Sequence, residues 1–264
     1  MRLAPSLSLA SLVLVAGCSA SEDAASGTAD LTGTIRPKQG LYTGTTVSYE
    51  DTCGLGPWLD RAYVVSGDDG YATSYVVPES NFQFSYPLTL AGKTAKNEST
   101  QTIELAGGTR ISVVMKMVDT WQSASTFVRR AEESFLCEGS RCESAPRTLG
   151  MSGELPCSAT KITAYALASC DEYPFRQVYD PGITSVWISG TFNDWARTPA
   201  EGALVMKQDG EGVWTLDAKL PPPASGQHLY KFIKNGRAYW DQDAANPVSV
   251  EDGRTGKNSV LYCQ

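Results

Sequence analysis

The chain contains one histidine, His228, and its 22 Lys and Arg residues never gather into a run. A lone histidine cannot build a histidine-ligated metal cluster, and as a general base it has no nucleophile and orienting group marked out beside it. In a strand-like run, as here, such a residue is ordinarily packed or at the surface. Without a basic run, and with a net charge of −7, the chain lacks the electrostatic footprint of a protein that binds nucleic acid or anionic lipid. A zinc site is not indicated either, because Cys137 and Cys142 lie close together but no second close pair accompanies them. The apolar stretch Leu3 to Ala16 is too short and too early for a spanning helix, which needs about 20 apolar residues. These absences lead to four expectations: no metal, no cofactor, no nucleic-acid partner and no catalytic activity.

What is present is globular. Hydrophobic residues make up 42% and aromatics 9% of 264 residues, far richer than a disordered chain, and the length allows two domains of moderate size. Seven cysteines occur. Cys18 stands in a leader context, leaving an even set of Cys53, Cys137, Cys142, Cys157, Cys170 and Cys263, as disulfides in an oxidising compartment require. Six cysteines allow fifteen connectivities, so the sequence leaves the pairing open. The pairing carried forward joins Cys137 to Cys142 as a local loop and Cys170 to Cys263, which would fasten the ends of the C-terminal region; Cys53 and Cys157 remain as the third pair.

Met1-Arg2, the apolar stretch and Gly17-Cys18-Ser19 have the organisation of a signal peptide. Val15-Ala16-Gly17-Cys18 resembles the lipobox of bacterial lipoproteins. That resemblance implies cleavage after residue 17, a diacylglycerol on Cys18 and membrane attachment through the lipid. Ser19 in the next position implies sorting to the outer membrane of a Gram-negative cell envelope. Residues 18–35 are small and polar without apolar periodicity, and read as a flexible tether.

Residues 36–168 carry recurring strand signals separated by Gly, Asn, Asp or Pro. Candidate strands are Leu41 to Asp51, Arg61 to Val65, Tyr71 to Val77, Phe82 to Leu90, Thr100 to Ala106, Arg110 to Val118, Ser125 to Leu136 and Lys161 to Ala168. Gly67 to Gly70 and Gly107-Gly108 have hairpin-turn chemistry. The pattern predicts an antiparallel β-barrel or sandwich. Glu132 and Glu133, beside Arg129 and Arg130, do not form a carboxylate pair, because neighbours in a strand point to opposite faces. A solvated outer face is the expected place for these charges. A barrel of this size is either filled or able to hold a small apolar ligand.

In residues 171–264 strands are expected at Thr184 to Gly190, Gly212 to Leu220, His228 to Lys234 and Asn258 to Cys263, with a type I′ hairpin signal at Asn235-Gly236. Short strands at this spacing suit a small immunoglobulin-like sandwich. Trp187, Trp214, Tyr230 and Phe232 read as core, Lys231 as held at the surface on the other face, and Trp195 as a turn residue. This region resembles the family 48 carbohydrate-binding modules, which include the glycogen-binding domain of AMP-activated kinase β subunits. The resemblance is carried by Gly190-Thr191-Phe192-Asn193-Asp194-Trp195, by Leu229 to Gly236, by Asp241 with Asn246-Pro247, and by Gly256 to Val260. It implies an early-set immunoglobulin-like sandwich that binds an α-glucan or related glycan without catalysis, with Trp195 stacking on sugar and Lys231 and Asn258 hydrogen-bonding to it. The family's second stacking tryptophan falls at Ala238, so Tyr239 or Trp240 is left to replace it, and alternation sends one of those two to the wrong face. The alternative is a structural or protein-interaction lipoprotein whose module binds no sugar.

Overall fold

The computed structural model describes residues 35–264 except 57–59, 68–69, 78–81, 178–181, 211 and 239. The expected signal peptide, Cys18, nearly all of the expected tether and Tyr239 therefore lie outside the described residues. Regular structure is almost entirely strand. Strands β1 (Gly40–Asp51), β2 (Arg61–Gly67), β3 (Gly70–Val77), β4 (Phe82–Ala91), β5 (Thr94–Leu105), β6 (Thr109–Ser123), β7 (Thr126–Glu138) and β8 (Cys157–Leu167) pair in sequence order, and β1 returns to β8 to close a barrel. One short helix, α1 (Ala145–Thr148), lies between β7 and β8. All eight strands expected in this region are present, most of them longer than their strongest apolar signal. The hairpin between β2 and β3 closes at Gly67 opposite Gly70. Gly70 has φ +159°, and a Cβ there would lie 2.1 Å from the Leu88 carbonyl oxygen, so only glycine fits.

Alternation sets the barrel interior. Along β6, Ile111, Met117, Asp119 and Trp121 are buried while Arg110, Lys116 and Thr120 are exposed. One end is filled by Tyr42, Tyr71, Trp121, Phe127 and Tyr165, with ring centroids 4.5 Å apart for Trp121 and Phe127 and 4.9 Å for Phe127 and Tyr165. The other end holds Ile111, Phe135 and the Cys53–Cys157 disulfide, closed over by Ala145 and Met151.

The charges of β7 divide between the two faces, which corrects the expectation of a solvated outer face. Arg130 and Glu132 point outward and lie 3.9 Å apart, whereas Arg129 and Glu133 belong to the inward set. Arg129 is buried because its partners are buried with it. Its Nε and Nη2 donate to the two oxygens of Asp119, both at 2.6 Å, and Nη1 donates to Thr73. Tyr71 also donates to Asp119 and accepts from Trp121 Nε1. The charges are thus matched and hydrogen-bonded, the condition under which burial of an ion pair is tolerated.

The remaining strands are β9 (Tyr173–Gln177), β10 (Val186–Gly190), β11 (Leu204–Val205), β12 (Lys207–Gln208), β13 (Trp214–Ala218), β14 (His228–Lys234), β15 (Ser249–Glu251) and β16 (Lys257–Leu261). They form a five-stranded sheet in the order β11-β10-β14-β16-β15 and a three-stranded sheet in the order β12-β13-β9. The two sheets bury Phe175, Val186, Ile188, Trp214, Tyr230, Phe232 and Leu261 between them. β9 was not among the expected strands. Its Pro174 interrupts the strand signal, yet a proline is compatible with the edge position that β9 occupies. The disulfides are Cys53–Cys157, Cys137–Cys142 and Cys170–Cys263, the pairing carried forward above.

Candidate functional site on the outer face of the five-stranded sheet

In β10, Val186 and Ile188 enter the core, so Trp187 and Ser189 face outward. Trp187 is therefore not the core residue that its apolar run suggested. Opposite it on β11 stands Val205, 49% exposed, and on β14 stands Ile233. Ile233 is buried but lies outside the cluster between the sheets, as a residue covered on the outer face must. Ser189 stands opposite Lys231. The pairing of β14 with β16 runs from His228 opposite Leu261 to Tyr230 opposite Ser259, and one step further sets Lys231 opposite Asn258. Two rows thus cross the strands: an apolar row through Val205, Trp187 and Ile233, and a polar row through Ser189, Lys231 and Asn258.

Trp195 is delivered to this face by the chain leaving β10. Gly190 ends the strand, where a Cβ would lie 2.3 Å from the Leu229 carbonyl oxygen. A single 3-10 turn follows, Thr191–Asn193. Asn193 braces it, accepting from the Gly190 amide at 2.9 Å and donating to the carbonyls of Ile188 and Gly202. Asp194 (φ 51°) and Trp195 (φ 57°) then adopt left-handed conformations in succession. For an indole side chain this is a strained backbone, held here by the Trp195 amide bonding to the Gly190 carbonyl at 3.0 Å.

The partner of Trp195 is Trp240. Their ring centroids are 6.1 Å apart with planes 26° from parallel, and both are partly exposed. Trp240 precedes Asp241, which is bonded through both backbone groups to Phe232, so the same register places Trp240 beside Ile233 at the end of the apolar row. Trp240, one of the two aromatics considered for the position that falls at Ala238, thus lies beside Trp195, while Tyr239 is outside the described residues.

Lys231 does not stand free at the surface. Its ammonium lies 2.5 Å from an Asp252 oxygen, and only 11% of its side chain is exposed. The other Asp252 oxygen accepts from the Arg254 and Gly256 amides. The Lys231 hydrogen bond, then that of Arg254, holds the Asp252 carboxyl down to about 2. Asn258 is mostly buried, and its side-chain amide has no hydrogen-bond partner among the described residues. Ser189 Oγ is fully buried and also without a partner. His228 is structural: one ring nitrogen meets the Pro221 carbonyl at 2.8 Å and the other the Thr191 hydroxyl at 3.1 Å. The carbonyl can only accept, so Nε2 carries the proton and Nδ1 accepts from Thr191. Among the described residues no group of three or more His, Cys, Asp or Glu side chains could hold a metal ion.

The structure therefore brings Trp195 to Trp240, and Lys231 to Asn258 and Asp252. Sequence reasoning missed Trp187, Ser189 and Asp252 as members of this face. Alternation from Val186 and Ile188 was the available signal for the first two, and the Asp-Gly turn at Asp252 for the third.

Over 92 residues, 34% of this chain, the sequence is 35% identical to the 1,4-alpha-glucan branching enzyme GlgB of Lactobacillus acidophilus. The matched part is 13% of that enzyme's length. No family profile matches the chain, and no solved structure matches it.

Proposed function

We propose that the chain is a non-catalytic, lipid-anchored lipoprotein of the cell envelope, sorted to the outer membrane of a Gram-negative bacterium. Its C-terminal module, residues 171–264, is an early-set immunoglobulin-like sandwich that binds an α-glucan or related glycan. The β-barrel of residues 36–168 carries the module away from the lipid on Cys18. The observation that supports this reading best is the pair of near-parallel, partly exposed indoles of Trp195 and Trp240. Indole faces suit the C–H face of a pyranose, and the nearby Lys231 and Asn258 suit its hydroxyl edge. The similarity of one part of the chain to a glucan-branching enzyme agrees with that ligand class.

The protein without residues 1–18, titrated with soluble glycogen and β-cyclodextrin, tests the site. Trp195→Ala and Trp240→Ala should each weaken binding about tenfold, while failure of the unsubstituted protein to bind either ligand refutes it. The alternative, a protein-interaction or structural module, is favoured by the tight Lys231–Asp252 pair, and that failure would select it. Anchoring is tested separately by Cys18→Ser in the full chain. The variant should leave the membrane fraction, and retention there would overturn the lipid anchor.

A further inference from the structure

We infer that the sugar-binding face does not end at Trp195 and Trp240 but continues across β14 to Trp187, so that it takes a run of several α-linked glucose units laid across the strands. This rests on the glycan reading above and extends it from a stacking pair to a chain-binding groove. Trp187 and Trp240 flank Ile233 from opposite sides in one row. They are two strand spacings apart, about 10 Å, which is wider than one sugar ring on one indole. Val205 prolongs the apolar row beyond Trp187 on β11, where it is 49% exposed.

The polar row through Ser189, Lys231 and Asn258 runs beside the apolar one, a residue pair further along each strand. A glucan chain offers the same two features along its length, an apolar ring face and a hydroxyl edge. A ligand along the apolar row would therefore bring successive hydroxyls beside the amide of Asn258 and the ammonium of Lys231. Asp252 fixes that ammonium in place and occupies only one of its three donors. A single stacking pair binds a chain end and a long chain alike; a groove with a distant third indole distinguishes them.

Trp187 also shields Ile233, and its ring would lie 3.4 Å from a Cβ at Gly236, so a binding role must be separated from a packing role. The experiment is calorimetric titration of the protein without residues 1–18 with maltotriose and with maltoheptaose, using Trp187→Ala and Trp187→Phe, with a thermal melt of each. Trp187→Ala should weaken maltoheptaose binding about fivefold while leaving maltotriose within about twofold. Trp187→Phe, which keeps an aromatic over Ile233, should recover most of the loss. Equal loss for both ligands, or no loss for either, overturns the extension while leaving the stacking pair intact. An unsubstituted protein that binds neither ligand fails the glycan reading itself, and the extension with it. Should Trp187→Ala fail to fold, the same contrast between the two ligands is read from Val205→Ser and from Trp187→Phe, each expected to lose about twofold on maltoheptaose alone. Absence of that contrast in both overturns the proposal.

Discussion

Glu133 faces the barrel interior between Met115 and Ala159, and burial, aided by the negative charge of Asp51, pushes its carboxyl up to about 7. Asp51 moves the other way. Burial would raise it, but hydrogen bonds from Tyr49 and from the Gly56, Cys53 and Gly54 amides outweigh that and hold it low. The two carboxyls thus differ because one has donors aimed at it. The consequence for stability has a definite sign. A carboxyl whose folded value lies above its unfolded one binds a proton in the native state that the unfolded chain has released, so stability falls as pH rises from about 4.5 towards 7. Glu133→Gln removes that dependence. Its melting temperature should exceed that of the parent by about 2–4 °C at pH 8 and match it near pH 4.5; an equal offset at both values would refute the titration of Glu133. The place of a side chain is legible in the sequence where a turn announces it, as for Trp195 after Asn-Asp, which stands in a turn and is partly exposed. It is illegible at Trp187, because Val186-Trp187-Ile188 is apolar at every position and hides which face each side chain takes.

Between elements, the unit that decides the barrel's interior is the cross-strand pair of Asp119 on β6 and Arg129 on β7. Both are buried, and the guanidinium also lies 5.2 Å from the Phe127 ring centroid and 5.6 Å from that of Tyr165. Removing one partner leaves the other charge in the core. Arg129→Met should therefore cost about 3–5 kcal/mol in chemical unfolding, whereas Arg129→Met combined with Asp119→Leu should recover most of it. A double variant no better than the single one would mean that the charges stabilise the barrel beyond neutralising each other. The barrel strands themselves were readable because each run carries β-branched or aromatic residues bounded by Gly, Asn, Asp or Pro, whereas the choice between a closed barrel and a sandwich was left open until the pairing of β1 with β8 closed the sheet. The interior ion pair was not readable, because Asp119 and Arg129 become partners only when the pairing of β6 with β7 fixes their register. β9 escaped for a related reason: five residues containing a proline look like a loop until an edge position makes the proline acceptable.

On the scale of the whole molecule, the barrel and the sandwich share a core. Leu41 and Tyr63, on the outer face of the barrel, pack in the same cluster as Tyr173, Phe175 and Tyr230 of the sandwich. Arg61 donates to the Pro174 carbonyl at 2.8 Å, and Tyr230, in the same cluster as Tyr63, donates to the buried Asp243 at 2.6 Å. At the junction Ala168 bonds to Leu41, and Gln264 bonds back to Ala168. A sandwich cut loose from the barrel would expose apolar and polar groups that now satisfy each other across the boundary. The two parts should therefore unfold together, with far-ultraviolet circular dichroism and segment-resolved hydrogen exchange giving one midpoint. Tyr63→Ala should lower that midpoint in both parts by an amount equivalent to about 3 kcal/mol. Coupling of this kind would carry the proposed glycan binding outward. If the proposed site binds, a glycan concentration 100 times the dissociation constant would stabilise the native state by about 2.7 kcal/mol, and with a shared core that gain should slow amide exchange in β2 of the barrel as well as in β14. Protection confined to β14 would mean that the barrel and the sandwich open separately, and that the junction joins them without coupling them.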